Sequence, residues 1–151
     1  MSKINFKIAT PERVVYKDEV DQITVPTMNG EITILPNHIP LISVLDAGEI
    51  VVKIGEEEIL MAVSGGFIEV LSTKVVVLAD TAEKSDEIDV ARAEEAIKRA
   101  EELKTKRSDD TREFVGLSAQ IQKELARIRV GRKHRERVEK MGAVDKYKKI
   151  D

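Results

Sequence analysis

The chain has 151 residues, 42% of them hydrophobic but only 3% aromatic, with neither tryptophan nor cysteine; this fits one domain, or one domain with an appendage, built on an aliphatic core. Without cysteine there is no disulfide framework, no thiolate zinc site and no thiol nucleophile. The formal net charge of −3 hides an asymmetry, 6 Lys/Arg against 12 Asp/Glu in residues 1–80 and 19 against 16 in residues 81–151, so the two parts are expected to meet different partners.

The first twenty residues scatter charges through "MSKINFKIATPERVVYKDEV", which argues against a signal peptide. No later run approaches the roughly 20 apolar residues that a membrane span needs. Up to about Asp80, short β-branched runs such as "ITILP", "IVVKI", "EILMAV", "FIEVL" and "KVVVLAD" alternate with turn signals. Ile50–Ile54 and Ile59–Val63 flank Gly55–Glu58 and read as a hairpin. Asn29-Gly30 and Gly65-Gly66 mark further turns. The pattern predicts an all-β sandwich or barrel over residues 1–84.

After Ala82 the period changes to that of helices. Ser85-Asp86-Glu87 supplies capping and acidic residues for a helix start. Ala93, Ala96, Ala100 and Leu103 then recur at steps of three and four, an unusually small apolar face. The run 105–110 breaks the pattern, and Asp110 with Glu113 resembles a capping box for a second helix. That helix carries Phe114, Leu117, Ile121, Leu125 and Ile128. The two are expected to fold back as a hairpin over residues 85–140, with larger side chains against the alanines. Residues 123–140 hold 8 Lys/Arg and 3 Asp/Glu, and 141–151 lacks periodicity and reads as a disordered tail.

No catalytic centre is expected. The two histidines are far apart: His134 lies in a charged helical stretch, and His38 has Ser43 and Asp46 nearby but no nucleophile elbow. Neither a metal cluster nor a Walker-type phosphate loop is present. Pro36 and Pro40 stiffen the loop around His38, with Ile39, Leu41 and Ile42 as expected anchors to the sandwich. Such a loop suits docking, or a purely structural turn. The basic stretch lacks interleaved aromatics for stacking bases. A solvated helix face and a surface for an acidic protein remain its two readings.

Three stretches, "GEITILPNHIPLI" at 30–42, "SGGFIEVLSTKVVVLAD" at 64–80 and "IDVARAEEA" at 88–96, resemble the ε subunit of bacterial and chloroplast rotary ATP synthases. The likeness runs in order from about Ile4 to Val130. It implies a β-plus-α fold, a ten-stranded β-sandwich followed by a two-helix hairpin. It also implies a non-catalytic rotor subunit that binds the γ subunit and the c-ring and meets the α/β catalytic head. Membrane contact would come only through partners, at the cytoplasmic face of a bacterial plasma membrane or the stromal face of a thylakoid. Glu31 and His38 fall where the family faces the c-ring. Mobile C-terminal helices inhibit hydrolysis in the family, which makes Lys123, Arg127, Arg129, Arg132 and Lys133 candidates for an acidic partner loop.

Some bacterial members bind a regulatory ATP through Ile/Leu-Asp-x-x-Arg-Ala, a pattern matched by Ile88, Asp89, Arg92 and Ala93. By that resemblance Asp89 would accept from the adenine amino group beside a small Ala93, after Glu83. Arg92, Arg99, Lys123 and Arg127 would meet the phosphates, with Lys123 lacking the bidentate fork of an arginine. No cofactor is required in this reading. The plainer alternative makes Asp89 a helix cap and Arg92 and Arg99 a solvated face. A competing function is a small β-sandwich binding module whose basic helical appendage binds nucleic acid; the rotor reading expects no nucleic acid.

Overall fold

The computed structural model of the protein describes residues 2–106 and 111–148, with side chains as far as Met141. Alternation makes the strands: Ile4, Phe6 and Ile8 point inward while Asn5, Lys7 and Ala9 do not. In chain order the strands are β1 (Ile4–Ala9), β2 (Val14–Val20), β3 (Gln22–Thr27), β4 (Gly30–Ile34), β5 (Leu41–Val44), β6 (Gly48–Ile54), β7 (Glu57–Ser64), β8 (Phe67–Val70), β9 (Lys74–Leu78) and β10 (Thr81–Lys84). They form two five-stranded sheets, ordered β2-β1-β9-β8-β5 and β10-β7-β6-β3-β4. Apart from the parallel pair β1–β9, neighbours run antiparallel. The inner faces enclose an aliphatic core that includes Phe6, Ile23, Ile50, Met61, Ile68 and Val77.

The expected hairpin is present as β6 and β7, closed by the tighter turn Gly55-Glu56. Pro26 sits within β3 because β3 pairs with β6 only as far as Thr24 and keeps β4 alone beyond it, so no donor is missing on the β6 side. The unbroken apolar run of β7 reflects burial on both faces. Met61 and Val63 enter the core, while Leu60 and Ala62 lie under a helix with Val130.

A 3-10 turn (Ser85–Glu87) leads to α1 (Val90–Lys106) and α2 (Thr111–Lys148). The helix start therefore differs from the sequence expectation. Ser85-Asp86-Glu87 forms the turn, and the cap is Asp89, whose Oδ1 accepts the Arg92 amide at 3.1 Å. The helices lie antiparallel, with Val90 and Ala93 against Ile128 at one end and Lys104 over the Phe114 ring, 4.3 Å from its centroid, at the other.

The alanine face packs as expected at Ala93 and Ala100, and of the expected opposing face Ile128 is buried and Leu117 and Ile121 are half-buried. Phe114 and Leu125 are exposed instead, while Glu124, Ala126 and Val130 are buried. The reason is that α2 rests on both α1 and the sandwich, so a single stripe does not describe it. The expected end near residue 140 is also exceeded, since α2 runs to Lys148. Asp110 of the expected capping box lies outside the described residues.

Candidate functional site

Where the helices meet the sandwich, a cleft of about 570 Å³ opens, lined by the turn 10–13, the segment 80–83, Arg92, Lys123, Glu124 and Arg127. Its centre is an ion network. Arg127 donates from Nε and Nη2 to the two oxygens of Glu83, at 2.6 and 3.1 Å, and from Nη1 to Glu124 Oε2 at 2.8 Å. Burial works against the charge of Arg127, but its hydrogen bonds to Glu83 and Glu124 outweigh that and hold its pKa above the usual guanidinium value. One edge-strand residue, Glu83 of β10, is thereby tied to α2. Arg92 and Lys123 border the same cleft and form no ion pair among the described residues.

The structure thus gathers Glu83, Arg92, Lys123 and Arg127 around one cleft, and separates the other four residues of the nucleotide motif. Ile88 packs against Val130 and Val90, and Ala93 is fully buried beside Ile128. Asp89 is exposed and caps α1. Arg99 is exposed beside Glu95 at 3.5 Å and does not line the cleft. Asp89→Ala is expected to cost about 1 kcal/mol of α1 docking, read as faster amide exchange over its first turn. Asp89→Asn should stay near native, and identical exchange in the Ala variant would remove the cap from the account.

The His38 loop is a tight surface turn. Asn37 takes a left-handed φ of 64°, which Asn tolerates, and donates its amide to Ser72 O at 3.0 Å. His38 Nδ1 lies 2.7 Å from the Ile39 carbonyl; the carbonyl only accepts, so that nitrogen carries the proton. The expected anchoring is partly overturned. Leu41 packs against the core, but Ile39 and Ile42 are 75% and 73% exposed, because Ile42 points to the outer face of its sheet. Glu31 is the second residue of β4 and His38 lies beyond its far end at Ile34, so roughly 10 Å of strand at ~3.3 Å per residue lies between them. The two therefore do not share a loop.

Of the remaining basic candidates, Arg132 pairs with Glu94 at 2.7 Å and Lys133 with Glu49 at 2.9 Å, while Arg129 is exposed. His134 Nδ1 lies 3.2 Å from Ser85 Oγ, a contact that fastens α2 to the 3-10 turn. Among the described residues no carboxylate hydrogen-bonds its other ring nitrogen, so the pair lacks the third member of a nucleophilic triad.

Sequence analysis did not single out the outer face of the first sheet. Val44, Phe67 and Leu78 stand opposite one another across β5, β8 and β9, all exposed, with Ile42 in the next row. Met28, Asn29, Ile42, Ser43, Val44 and Phe67 line an open groove of about 740 Å³. The alternation in "FIEV" places Phe67 opposite to Ile68, and that was the available signal.

The ATP synthase delta/epsilon chain beta-sandwich domain matches residues 3–85, and the long alpha-helix domain of the same chain matches residues 86–131. The chain belongs to the ATP synthase delta/epsilon family. An ATP synthase epsilon chain of Dehalococcoides mccartyi is 44% identical over 89% of this chain and 96% of the relative. One of Chloroflexus aggregans is 44% identical over 87% and 94%. A chain in the structure of Euglena gracilis mitochondrial ATP synthase, OSCP/F1/c-ring, superposes with a TM-score of 0.71 at 22% identity, covering 81% of this chain and 77% of that one, which shows a shared fold. The delta/epsilon domain boundary at 85/86 falls just after β10, at the start of the 3-10 turn.

Proposed function

We propose that the chain is a non-catalytic central-stalk subunit of a proton-translocating ATP synthase, seated between the γ subunit and the c-ring and reaching toward the α/β head with its helices. Family membership supports the rotor role. The observation that carries the docking surface is the uncovered row Val44–Phe67–Leu78 with Ile42, because on the second sheet the outer face of β6 and β7 is already covered by α2. Exposed apolar residues gathered on one sheet face mark a protein contact. No helix among the described residues is long and apolar enough to cross a membrane. Attachment is through partners, and the bacterial relatives favour the cytoplasmic face of a bacterial plasma membrane over a thylakoid.

The test is recovery of the complex. A tagged chain from solubilised membranes of its source cell should retain γ, α, β and c subunits. Phe67→Glu with Ile42→Glu should cut that recovery at least tenfold, since a charge buried at a central anchor costs about 2 kcal/mol or more. Both side chains are exposed, so the melting temperature should not move. Unchanged recovery, or nucleic acid recovered in place of these subunits, would overturn the proposal.

A regulatory nucleotide is a second reading, favoured by Arg92 and Lys123 bordering the cleft without ion pairs. They suit phosphate oxygens, whereas Arg127 would have to leave Glu83 and Glu124 to join them. ATP titration by calorimetry tests this: binding that Arg92→Ala with Lys123→Ala abolishes would support it, and no heat in the native chain would end it. Inhibition of hydrolysis by the helices belongs to the same proposal, with Arg129 as the candidate that α2 already presents to solvent.

A further inference from the structure

The part of α2 beyond residue 131 lies past the end of the helical-domain match, and it reaches over the second sheet to Glu49 and Glu58. Apolar docking ends at its start. Val130 is fully buried beneath Ile88 and against Leu60 and Ala62. At Gly131 an added Cβ would stand 2.6 Å from Val90 Cγ2 and 3.2 Å from Ile88 Cγ2. From Arg132 to Met141 every residue except His134 is exposed, including Val138 and Met141. What fastens this stretch is polar.

The sheet is prepared for it. Glu49, Ala62 and Glu83 form one row across β6, β7 and β10, so two carboxylates flank the small residue over which the helix passes. Arg127 grips Glu83 on one flank, and Lys133 grips Glu49 on the other, 3.0 Å from Oε1 and 2.9 Å from Oε2. The Glu49 side chain is only 13% exposed, and its Oε2 has no hydrogen-bond donor besides this ionic approach. One helical turn after Lys133, Arg137 donates to Glu58 Oε2 at 2.5 Å, and Lys53 approaches Glu58 Oε1 at 3.4 Å. The bond from Arg137, against some burial and with help from Lys53, holds the Glu58 carboxyl below its usual pKa.

We infer that residues 132–141 are an ionic latch, which closes the helical pair onto the second sheet through Lys133–Glu49 and Arg137–Glu58 and opens as salt rises. The spacing of i and i+4 puts both cations on one helix face, and both contacts that hold this stretch to the second sheet are ion pairs, while the His134–Ser85 hydrogen bond ties it to the 3-10 turn. Salt shortens the Debye length from about 8 Å at 0.15 M to about 3 Å at 1 M. While the latch is closed, Lys133 is withheld from any other acidic surface. The inference concerns the isolated chain and stands apart from the rotor assignment.

The chain has no cysteine, so spin labels at Glu56→Cys and Lys140→Cys, both exposed, measure the latch directly. Low salt should give one narrow distance, and 1 M salt should raise the displaced fraction roughly threefold to tenfold, as two weak ion pairs allow. Lys133→Glu with Arg137→Glu should produce the same broadening at low salt. Pairing Lys133→Glu with Glu49→Lys should restore part of the narrow population. A labelled pair at Glu57→Cys and Gln122→Cys, both exposed, serves as the reference for helix docking ahead of residue 131. A distance unmoved by both salt and charge reversal would sink the latch, as would a charge swap that rescues nothing.

Discussion

Arg127→Met is expected to release the helical pair from the sandwich while leaving the sandwich folded. The Arg127 side chain is 17% exposed and serves two carboxylates, of which Glu124 is 7% and Glu83 31% exposed. Removing the cation strands both. Breaking a buried pair from one side costs about 3–5 kcal/mol, and the partial exposure of Glu83 brings the expectation to about 2–4. The loss should fall on docking, since the sandwich core is closed by its own strands and contains no helix residue. Amide exchange should accelerate across α1 and the part of α2 up to Val130, with β1 and β9 unaffected.

The pH dependence gives a further mark. In the native chain the folded pKa of Arg127 lies above its ordinary value, so its contribution is complete below the ordinary guanidinium range and is lost only as pH rises through the folded value. In Arg127→Met the buried Glu124 carboxylate is left without its cation. The double variant Arg127→Met with Glu124→Gln should recover much of the loss, because the more buried of the two stranded carboxylates is gone. A single variant that docks as tightly as the native chain at neutral pH would show that the network is incidental.

How far this arrangement could be read from sequence depends on how local each part is. The hairpin of β6 and β7 is local: its turn, its alternation and its partner lie within seventeen residues, and the expectation needed little change. By contrast, β2 carries Lys17, Asp18 and Glu19 in succession at a sheet edge, where packing on one side alone leaves a weak pattern. β10 is four residues, "TAEK", with only Ala82 buried, and nothing in it announces a strand. The resemblance to the ATP synthase family supplied the count of ten that periodicity did not.

The ion network was least legible. Glu124 sits in a basic stretch and looks solvated, yet it is among the most buried charged residues of the chain. Its burial follows from α2 lying between α1 and the sheet. The row Glu49–Ala62–Glu83 exists only through the register of three strands, so no spacing along the chain reveals it. Asp89 shows the opposite case, for both readings of it were visible, and the capping contact is the one made in the docked chain.

The second large effect concerns the face proposed to meet the stalk. Gly66→Ala should lower the melting temperature of the sandwich by about 15–30 °C, or prevent folding, while Gly30→Ala should do far less. Both glycines have positive φ, +96° and +112°, a conformation that costs other residues about 1–3 kcal/mol. They differ in what surrounds them. A Cβ on Gly30 meets nothing within 4 Å, whereas one on Gly66 would collide with the Leu78 carbonyl oxygen and stand 2.7 Å from Ala79 Cα. Those atoms are backbone, so β9 itself would have to move. Overpacking adds about 1–3 kcal/mol, and each kcal/mol shifts a domain of this size by about 4–8 °C. Because the Gly66 carbonyl also receives the Leu45 amide at 2.9 Å, displacement here pulls on β5, β8 and β9 together, the strands that carry Val44, Phe67 and Leu78. If Gly66→Ala folds at all, its recovery of γ should therefore fall further than that of Gly30→Ala at equal folded concentration. Equal losses of stability in the two variants would mean that φ, and not the approach of β9, sets the requirement for glycine.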